Sequence, residues 1–407
     1  MDRPYPVITV NEKAERAIRA GHPWVYAAEV LSQDEAAAPG EIADVRSQKG
    51  RWLGAGFVGG ASKIRVRLLS RNPNDRFDEA FFARRIRYAL AYRRQVMGED
   101  FAACRLIFGE ADGFPGWTVD RFGDVLVSEV LALGIHQRRD MLYALLRQEL
   151  TALGVQVRVI YERNESALRE KEGLERGKGP CLAPGLEADP DGHAEITENG
   201  LKFDVDYING QKTGWFLDQK YNRAAAARLA RGRTVLDCFT HTGGFAVHCA
   251  AAGAESVTAV DVSADALTQA AANAQCNGLE NKIEFVKADV FEYLTALAES
   301  RDRRFDYIIL DPPAFTKSGA TVDAARRGYR EINRRAMQLL PRGGYLATCS
   351  CSHFMTAELF RSMLSDAAGD AGVSLRQIED RRQSPDHPIL WGVPETEYLK
   401  FSLFQVV

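Results

Sequence analysis

Long apolar runs are missing from this sequence. No stretch reaches 18 consecutive apolar residues, about the length that a helix needs to cross a bilayer. The first 20 positions carry seven charged side chains, so the apolar core of a secretory signal is missing as well. We therefore expect a cytoplasmic protein without a membrane partner.

Paired cysteines are missing too. The seven cysteines are odd in number, and none follows another at the C-x-x-C spacing, which argues against a disulfide framework and against a zinc site. We expect reduced thiols and no bound metal. The sequence also shows no internal repeat and no low-complexity tract, which argues against a repeat architecture.

Apolar residues are numerous enough for several hydrophobic cores. The chain has 407 residues, 46% of them hydrophobic, so two or three domains are expected. Short strands with glycine punctuation predict a small β-barrel over residues 1–72. A connector helix and further strands predict an α+β middle domain over 73–190, in which the glycine- and proline-rich residues from 177 to 193 indicate a flexible linker or surface loop. Successive βα units predict an α/β domain with a doubly wound parallel sheet over 191–407.

Positive charge is concentrated at the amino-terminal end. Residues 1–98 hold 17 lysines and arginines against 11 aspartates and glutamates, although the whole chain has a net charge of −3. Lys63, Arg65 and Arg67 alternate with apolar residues, which in a strand places the three cations on one face. The pattern suits a polyanion whose phosphates are held at this end, and solvated surface charge explains the counts equally well.

Residues 234–263 form the most informative stretch. An apolar run leads into Gly243-Gly244, a helix of small residues follows, and a second apolar run ends on Asp261. This is the pattern of a strand, a tight turn, a helix and a second strand. Because an acidic residue after the second strand can accept both hydroxyls of a ribose, we expect an adenosine-containing ligand across the two glycines.

The G-x-G-x-x-G motif of nicotinamide enzymes is missing from this turn, which disfavours a pyrophosphate. Asp237 instead ends the first strand, where a carboxylate can meet an ammonium group. S-adenosylmethionine combines ribose, adenine and an ammonium group, so we predict it as the cofactor, with its adenine near Asp289 and Val290. Val262 is also expected to bind the cofactor. A helix cap is the alternative role for Asp237.

Acidic residues follow several strands of the predicted sheet: Asp237, Asp261, Asp289 and Asp311. The carboxyl ends of parallel strands meet at one edge, where ligands of such sheets bind. Two prolines after Asp311 stop the strand and fix a rigid corner. We therefore expect Asp311 and Phe315 to face a cleft that holds a planar base, with a plain turn as the alternative.

Cys351 follows the next predicted strand. A thiolate at this position could add to carbon 6 of a pyrimidine and make carbon 5 nucleophilic enough to accept a methyl group. Cysteine is as often a small buried hydrophobic residue. Cys349, two residues earlier, points to the same face of an extended strand, so spacing leaves both cysteines open as the nucleophile.

Seven motifs together resemble one family. The sequence resembles the bacterial large-subunit ribosomal RNA methyltransferases with an amino-terminal PUA domain, which methylate carbon 5 of cytosine. The motifs run along the whole chain: His-Pro-Trp-Val-Tyr (22–26), Gly-Glu-Ala-Asp-Gly-Phe-Pro-Gly (109–116), Lys-Thr-Gly-Trp-Phe-Leu-Asp-Gln (212–219), Phe-Thr-His-Thr-Gly-Gly-Phe (239–245), Asp-Pro-Pro-Ala-Phe (311–315), Ser-Cys-Ser (350–352) and Asp-His-Pro (386–388).

The resemblance implies a PUA barrel that binds ribosomal RNA, and it favours Cys351, the cysteine of Ser-Cys-Ser, as the nucleophile. Many RNA cytosine-5 methyltransferases carry a second, product-releasing cysteine where this chain has Pro313. Asp311 or His387 is then expected as the releasing base, with Phe315 and His387 on the RNA side. The resemblance assigns further residues to the cofactor: Lys212, Thr213, Phe216, Asp218, Gln219, Phe239, Thr240 and Phe245.

Two other functions fit the same residues. An exocyclic-amine RNA methyltransferase would use Asp311-Pro312-Pro313 and need no thiol, so it would stay active as Cys351→Ser. A non-catalytic ribosome-assembly protein would hold RNA through the barrel and would not bind S-adenosylmethionine. The sequence is compatible with a homodimer and determines neither the oligomeric state nor the target nucleotide.

Overall fold

The computed structural model describes residues 3–188, 191–300, 305–316 and 318–407, so residues 189 and 190 of the expected linker lie outside the described residues. The chain divides into two compact units. Unit 1 comprises Met1–Ile196, Val205–Leu217 and Pro385–Thr396, and unit 2 comprises Thr197–Asp204, Asp218–Ser384 and Glu397–Val407. None of the described helices is both long and apolar enough to cross a membrane.

Unit 1 begins with a curled six-stranded sheet in the order β2-β6-β5-β4-β1-β3. Its core is formed by apolar side chains such as Ile8, Val45 and Val66, which are fully buried. The elements are β1 (Val7–Val10), α1 (Glu12–Arg19), β2 (Trp24–Tyr26), β3 (Val30–Gln33), β4 (Ile42–Ser47), β5 (Trp52–Val58) and β6 (Ile64–Ser70). The small barrel expected from short strands is therefore present.

A second sheet of unit 1 has five strands in the order β11-β10-β9-β8-β7. Its elements are α2 (Glu79–Met97), β7 (Ala103–Phe108), β8 (Trp117–Phe122), β9 (Val125–Val130), α3 (Leu133–His136), α4 (Arg139–Ala152), β10 (Val159–Asn164) and β11 (Gly177–Pro180). The linker expectation is wrong for Gly177–Pro180, which pairs antiparallel with β10. At a sheet edge, glycine and proline can be accommodated because one side of the strand needs no partner.

The connector helix α2 forms as its apolar stripe predicts. Asp78 precedes it in an extended conformation, and its carboxylate accepts the backbone N–H of Phe81 at 2.9 Å. Such a cap satisfies one of the N–H groups that the first helical turn leaves without a partner. Phe81, Ile86 and Leu90 are buried on one face of the helix.

Unit 2 is built on a seven-stranded sheet in the order β16-β15-β14-β17-β18-β20-β19. The first five strands run parallel to one another. Strand β20 runs antiparallel to both of its neighbours, β18 and β19. The elements from residue 193 onward are β12 (His193–Glu198), β13 (Leu201–Asp206), α5 (Lys220–Ala227), β14 (Thr234–Cys238), α6 (Gly244–Ala251), β15 (Ser256–Asp261), α7 (Ala264–Cys276), β16 (Ile283–Lys287), α8 (Val290–Ser300), β17 (Tyr307–Leu310), α9 (Val322–Leu339), β18 (Tyr345–Ser350), α10 (Ala357–Ala371), β19 (Leu375–Arg381) and β20 (Lys400–Val406).

The central parallel strands of unit 2 are buried on both faces, as strands covered by helices must be. Every residue of β17 is buried, and so are Val235 to Cys238 of β14. Helices α8, α9 and α10 contribute to the core around Leu236, Ile308 and Leu346. The expected doubly wound α/β domain is confirmed, with an antiparallel pair of strands at one end of the sheet.

Candidate active site

Strand order reverses between β14 and β17, because β15 and β16 lie on one side of β14 and β17 and β18 lie on the other. Cys238 of β14 is level with Leu310 of β17 in the parallel ladder, so Asp237 and Asp311 come to the same end of the sheet. Ligands of open α/β sheets bind at such a reversal. We call the carboxyl ends of β14, β15, β17 and β18 the strand edge.

Asp237 is the most deeply buried acid of the strand edge, with no exposed surface. Its Oδ2 accepts the Thr240 hydroxyl at 2.6 Å, while its Oδ1 has no hydrogen-bond partner in the described part of the chain. Burial raises the pKa of Asp237 to about 7. A buried oxygen without a donor is costly, and an ammonium group of a ligand would satisfy it.

The turn after β14 has an unusual backbone. Phe239 and His241 adopt positive φ angles of 63° and 52°, and Gly243 follows at 83°. Non-glycine residues in this region are strained by roughly 1–3 kcal/mol each and concentrate at functional sites. The strain is held by hydrogen bonds, since the Thr240 N–H donates to the Val260 carbonyl at 3.0 Å and the His241 N–H donates to Asp261 at 2.9 Å.

Both glycines of the turn are required by close packing. A Cβ at Gly243 would lie 3.0 Å from the Cβ of Ala270, and one at Gly244 would lie 2.6 Å from Nε of Arg223. Arg223 cannot easily move, because its guanidinium forms a buried ion pair with Glu198 at 2.7 Å. The glycine pair therefore brings the start of α6 close to the sheet.

Asp261 ends β15 with both carboxylate oxygens oriented by the backbone. Oδ2 accepts the His241 N–H and Oδ1 accepts the Ser263 N–H, each at 2.9 Å. The carboxylate is only half-buried, and each of its oxygens keeps a further lone pair for a hydroxyl donor. This geometry suits the ribose contact expected of Asp261.

Asp289 has a helix-capping role in the structure. Its Oδ1 accepts the N–H groups of Phe291 and Glu292 at 2.8 and 3.1 Å, at the start of α8. Val290 beside it is buried, whereas Val262 after β15 is 67% exposed. The adenine contact expected of Asp289 and Val290 and the cofactor contact expected of Val262 stay predictions.

Asp311 is oriented by a chain of side-chain amides. Gln219 donates to its Oδ1 at 2.9 Å, and Asn222 donates to the Gln219 Oε1 at 2.7 Å. Burial, with the neighbouring Asp218 carboxylate, raises the pKa of Asp311 to about 6. Asp218 itself accepts the Tyr398 hydroxyl at 2.6 Å. Asp311 is therefore held in one orientation and is a stronger base than an ordinary aspartate.

The two cysteines of β18 and its end have different surroundings. Cys349 lies inside the strand and is fully buried, whereas Cys351 lies beyond the strand end and is half-buried. Burial, together with Asp311, raises the pKa of the Cys349 thiol well above its usual value. Because the thiolate is the reactive form, the structure favours Cys351 among the two candidates that spacing left open.

Lys400 is a buried cation at the same end of the sheet. It faces Ser350 across the β18–β20 ladder, and its Nζ donates to the carbonyls of Ser352 and Tyr398, each at 2.6 Å. Burial lowers the pKa of Lys400 to about 8, and the thiol of Cys351 opposes this shift. An ammonium group near a cysteine stabilises the thiolate.

Phe315 packs against three other aromatic rings. Its ring lies 4.5 Å from that of Tyr329, 5.8 Å from Phe291 and 6.5 Å from Phe239, measured between centroids. The side chain remains half-buried. The expectation that its ring projects into a cleft is thus only partly met, and stacking on a base would involve its exposed edge or face.

His387, a candidate base and RNA ligand, belongs to unit 1 and is 2% exposed. Its Nδ1 lies 2.9 Å from Asp386 Oδ1, and its ring lies 5.4 Å from that of Phe108. Asp386 also accepts the Arg105 N–H at 2.8 Å. These contacts indicate that His387 helps to anchor its segment within unit 1.

Three of the residues that the family resemblance assigned to the cofactor also lie in unit 1: Lys212, Thr213 and Phe216. The Thr213 hydroxyl donates to Asp120 at 2.6 Å, and Nζ of Lys212 lies 5.2 Å from the centre of the Phe216 ring. Lys212 has a positive φ of 52°. The segment is thus locally constrained, and its role toward the cofactor stays a prediction.

The basic strand expected to hold RNA is β6 with the residue before it. Lys63 is exposed and Arg65 is half-buried. Arg67 differs, because its guanidinium lies 3.0 Å from Glu172 and 3.6 Å from Glu110 and its side chain is 13% exposed. Two carboxylates already neutralise Arg67, so phosphate binding on this strand is a prediction for Lys63 and Arg65 above all.

The sequence analysis missed Lys400 as a site residue. The signal was available, since Lys400 is the single charged residue, between Leu399 and Phe401, of a mostly apolar terminal strand. A charged residue that must be buried is rare unless it has partners or a function. Only the β18–β20 pairing, however, places it beside the end of β18.

Comparisons with known proteins agree with this geometry. A family model described as S-adenosylmethionine-dependent methyltransferase matches residues 175–404, and a PUA-like domain model matches residues 8–71. The Ribosomal RNA large subunit methyltransferase I of Cronobacter sakazakii is 42% identical over 388 residues, covering 95% of this chain and 96% of that protein. The protein of the same name from Klebsiella pneumoniae is 39% identical, covering 98% of both chains.

The chain belongs to the S-adenosylmethionine-dependent methyltransferases. The family resemblance read from the motifs is therefore confirmed, and S-adenosylmethionine is the cofactor. The fold is shared with a proposed S-adenosylmethionine-dependent methyltransferase from Streptococcus mutans, at a TM-score of 0.82, 22% identity and coverage of 98% of this chain and 100% of that one. A second solved structure, a proposed methyltransferase bound to S-adenosylhomocysteine, has a TM-score of 0.84 at 22% identity, with the same coverage.

The residues of the strand edge fit this cofactor. Oδ1 of buried Asp237 has no hydrogen-bond partner within the described residues and could accept the methionyl ammonium, and the half-buried Asp261 could accept ribose hydroxyls. A buried carboxylate without a counter-charge is unfavourable, so the cofactor would remove a local cost when it binds.

Proposed function

We propose that this chain transfers a methyl group from S-adenosylmethionine to carbon 5 of a cytosine in large-subunit ribosomal RNA, through a covalent adduct with Cys351. One observation carries the proposal. The half-exposed Cys351 lies just beyond the end of β18. Strand β18 pairs with β17, which Asp311 directly follows, and the buried ammonium of Lys400 interacts electrostatically with Cys351.

The substrate class is supported by the relatives and by the amino-terminal domain. Relatives named as large-subunit ribosomal RNA methyltransferases align with nearly the whole chain. A PUA-like domain precedes the methyltransferase region, and the first 98 residues carry excess positive charge. RNA binding is dominated by phosphate contacts with such cations, which makes an RNA substrate the natural expectation.

The proposed reaction begins at the thiol. S-adenosylmethionine supplies an electrophilic methyl group on a sulfonium sulfur. The Cys351 thiolate adds to carbon 6 of cytosine, a carbon–sulfur bond forms, and the electron pair of the C5–C6 double bond becomes available at carbon 5. Carbon 5 bonds to the methyl group as the methyl–sulfonium bond breaks. Lys400 favours the starting thiolate because its charge is opposite.

Release requires a base, and Asp311 is the best-placed candidate. It accepts the proton from carbon 5, the C5–C6 double bond forms again, and the thiolate of Cys351 leaves. A pKa of about 6 keeps Asp311 ionised at neutral pH while making it more basic than an ordinary aspartate, which suits a general base. His387 is buried against Asp386 and Phe108 in unit 1, which makes it the weaker candidate.

The test is an adduct trap. RNA with 5-fluorocytosine at the target position cannot lose fluorine as a cation, so wild-type protein with cofactor should give a covalent complex that survives denaturing electrophoresis. Cys351→Ala should lose both the complex and methylation, while Cys349→Ala should keep both. Methylation that survives in both variants and in the double variant contradicts the cytosine-5 chemistry and favours methylation of an exocyclic amine at Asp311.

A further inference from the structure

Unit 1 contains a cleft with a volume of about 1070 Å³. Its walls come from the loop after α1, the end of β6, the exposed face of α2, residues 110–113 and residues 388–390. Ligand sites usually have volumes of roughly 300–1,000 Å³. The cleft, which we call the amino-terminal cleft, is therefore large enough for one or more nucleotides.

Arginines face each of the acidic residues of the cleft. Each of the three carboxylates in its wall forms an ion pair with an arginine: Asp75 with Arg84 at 2.8 Å, Glu110 with Arg67 at 3.6 Å, and Asp112 with Arg93 at 2.5 Å. The Glu110 carboxylate also accepts Nε1–H of Trp24 at 2.9 Å. Asp75 and Asp112 are therefore each balanced by an arginine of their own, whereas Glu110 shares Arg67 with Glu172.

Two further arginines of the cleft are held by backbone carbonyls instead of carboxylates. Arg71 donates to the Ile18 carbonyl at 3.0 Å, and Arg85 donates to the Leu69 carbonyl at 3.1 Å. Within the described residues neither guanidinium forms an ion pair with a carboxylate. Backbone carbonyls orient these side chains without cancelling their charge, so the cleft offers two fixed positive groups to an anion.

Exposed aromatic side chains accompany these charges. Tyr88 and Tyr92 line the cleft, one helical turn apart on α2, and are 62% and 39% exposed. Trp391 directly follows the lining residue Leu390, and its backbone carbonyl would lie 3.6 Å from a Cβ at Gly21 in the opposite wall. Trp391 is 93% exposed, which is unusual for the largest apolar side chain.

We propose that the amino-terminal cleft binds a single-stranded segment of RNA, with phosphates at Arg71 and Arg85 and bases stacked on Tyr88 and Trp391. Fixed cations beside exposed aromatic rings are the means by which proteins bind single strands. Paired bases would keep their faces inside a duplex, so a duplex could use the charges but not the rings. The inference rests on the proposed function in that the chain acts on RNA, and it extends RNA binding beyond the barrel strand to α2.

The test compares binding of a fluorescein-labelled single-stranded oligoribonucleotide of about ten nucleotides with binding of the same sequence as a duplex, by anisotropy on the full chain. Trp391→Ala and Tyr88→Ala should each weaken single-strand binding about fivefold to a hundredfold, with little change for the duplex. Arg71→Gln should lower the slope of log affinity against log salt by about 0.7.

Matched controls come from the same unit. Leu182→Ala removes an apolar side chain that is 78% exposed, and Arg87→Gln removes an arginine of α2 that is 61% exposed and paired with Glu149. Neither residue lines the cleft. A thermal melt and a circular-dichroism spectrum that match those of wild type show that each variant remains folded.

The proposal is overturned if the cleft variants bind the single strand as wild type does, or if the control variants lose as much affinity. Equal losses for duplex and single strand also overturn it, as does binding of a mononucleotide as tightly as the oligonucleotide. An adduct trap that fails while the cleft variants behave as expected would reject the Cys351 chemistry alone. If the cleft variants bind the single strand as tightly as wild type while the adduct trap succeeds, only the proposed RNA-binding role of the cleft is rejected.

Discussion

The strand edge of unit 2 and the amino-terminal cleft of unit 1 present their polar groups in opposite ways. At the strand edge the carboxylates and Lys400 are buried or half-buried. Burial raises the pKa values of Asp237 and Asp311 and lowers that of Lys400, which favours the neutral form of each group. In the cleft, Arg71 and Tyr88 are exposed. Burial changes what a group can do chemically, whereas exposure keeps it available to a large and variable ligand.

This contrast predicts where substitutions act strongly. Buried groups lose an interaction that water cannot replace, so single changes at the strand edge should have large effects. Exposed groups lose contacts that water and salt already weaken. The effects of substitution should therefore decrease from the strand edge to the basic strand of unit 1.

The largest effect is expected at Cys351. Cys351→Ala should lower the rate of methylation by about a thousandfold or more, because no other group can activate carbon 5 by addition. Cys349→Ala should leave the rate within about threefold of wild type and lower the thermal midpoint slightly, because it empties a buried position. Single-turnover methylation assays and thermal melts measure both. A large rate loss in Cys349→Ala alone would move the nucleophile into the strand.

Asp261→Ala should weaken S-adenosylmethionine binding about tenfold to a hundredfold. The substitution removes a charged acceptor from the ribose hydroxyls, and a hydrogen bond to a charged group contributes roughly 1.5–3 kcal/mol. Asp265→Ala is a suitable control, because this exposed acid lies in the first turn of α7 close in sequence to Asp261. Isothermal calorimetry that shows equal affinities for the two variants would remove Asp261 from the cofactor site.

Cofactor binding should depend on pH through Asp237. Its pKa is raised to about 7, so the carboxyl is neutral below this pH and charged above it. An ammonium group prefers the charged form, and affinity should fall about tenfold for each pH unit below 7. Asp237→Asn should bind weakly with a flat profile. Calorimetry between pH 5.5 and 8 measures the cofactor affinity of both proteins. A wild-type affinity that does not change with pH would contradict the role of Asp237.

The same substitution has a second consequence, of opposite sign. The pKa of Asp237 is higher in the folded chain than in the unfolded one. The free energy of unfolding therefore falls as the pH rises from the ordinary pKa of an aspartate to about 7. Without cofactor, Asp237→Asn should therefore be more stable than wild type at pH 8. Urea unfolding with and without S-adenosylmethionine separates the two effects.

Sequence reasoning succeeded where the chemistry is local. Gly243, Gly244 and Asp261 belong to one strand–turn–helix–strand unit, and the turn is required by the positive φ of Gly243 and the close approach at Gly244. The fold followed from the alternation of strands and helices for the same reason. These features depend on residues that are neighbours along the chain.

Sequence reasoning failed where a distant residue decides. Arg67 looked free for phosphate, but Glu172, which is 105 positions away, pairs with it. Lys400 lies at the strand edge because β20 pairs with β18, and the ring of Phe315 packs against Tyr329 of α9. No periodicity in a single sequence encodes these contacts, because each depends on which elements pack together.

A moderate effect is expected at Lys400. Its pKa is lowered to about 8, so it is positively charged below this pH and can stabilise the Cys351 thiolate there, and it loses this effect above it. Lys400→Met keeps the apolar stem without the charge. The pH midpoint for iodoacetamide labelling of Cys351 should then rise by about one unit. An unchanged midpoint in a folded Lys400→Met would show that the ammonium only ties together the Ser352 and Tyr398 carbonyls.

The smallest effect is expected on the basic strand of unit 1. Each phosphate contact to single-stranded RNA adds about 0.7 to the slope of log affinity against log salt, so replacing Lys63 and Arg65 together by glutamine should reduce it by about 1.4. Arg67→Gln should leave the slope unchanged, because Glu172 and Glu110 already hold that charge, and should lower the thermal midpoint instead. Anisotropy titrations at several salt concentrations, with melts of each variant, distinguish the two outcomes. If Arg67→Gln reduced the slope as well, its ion pairs would have to open when RNA binds, and the distinction between neutralised and available cations in unit 1 would fail.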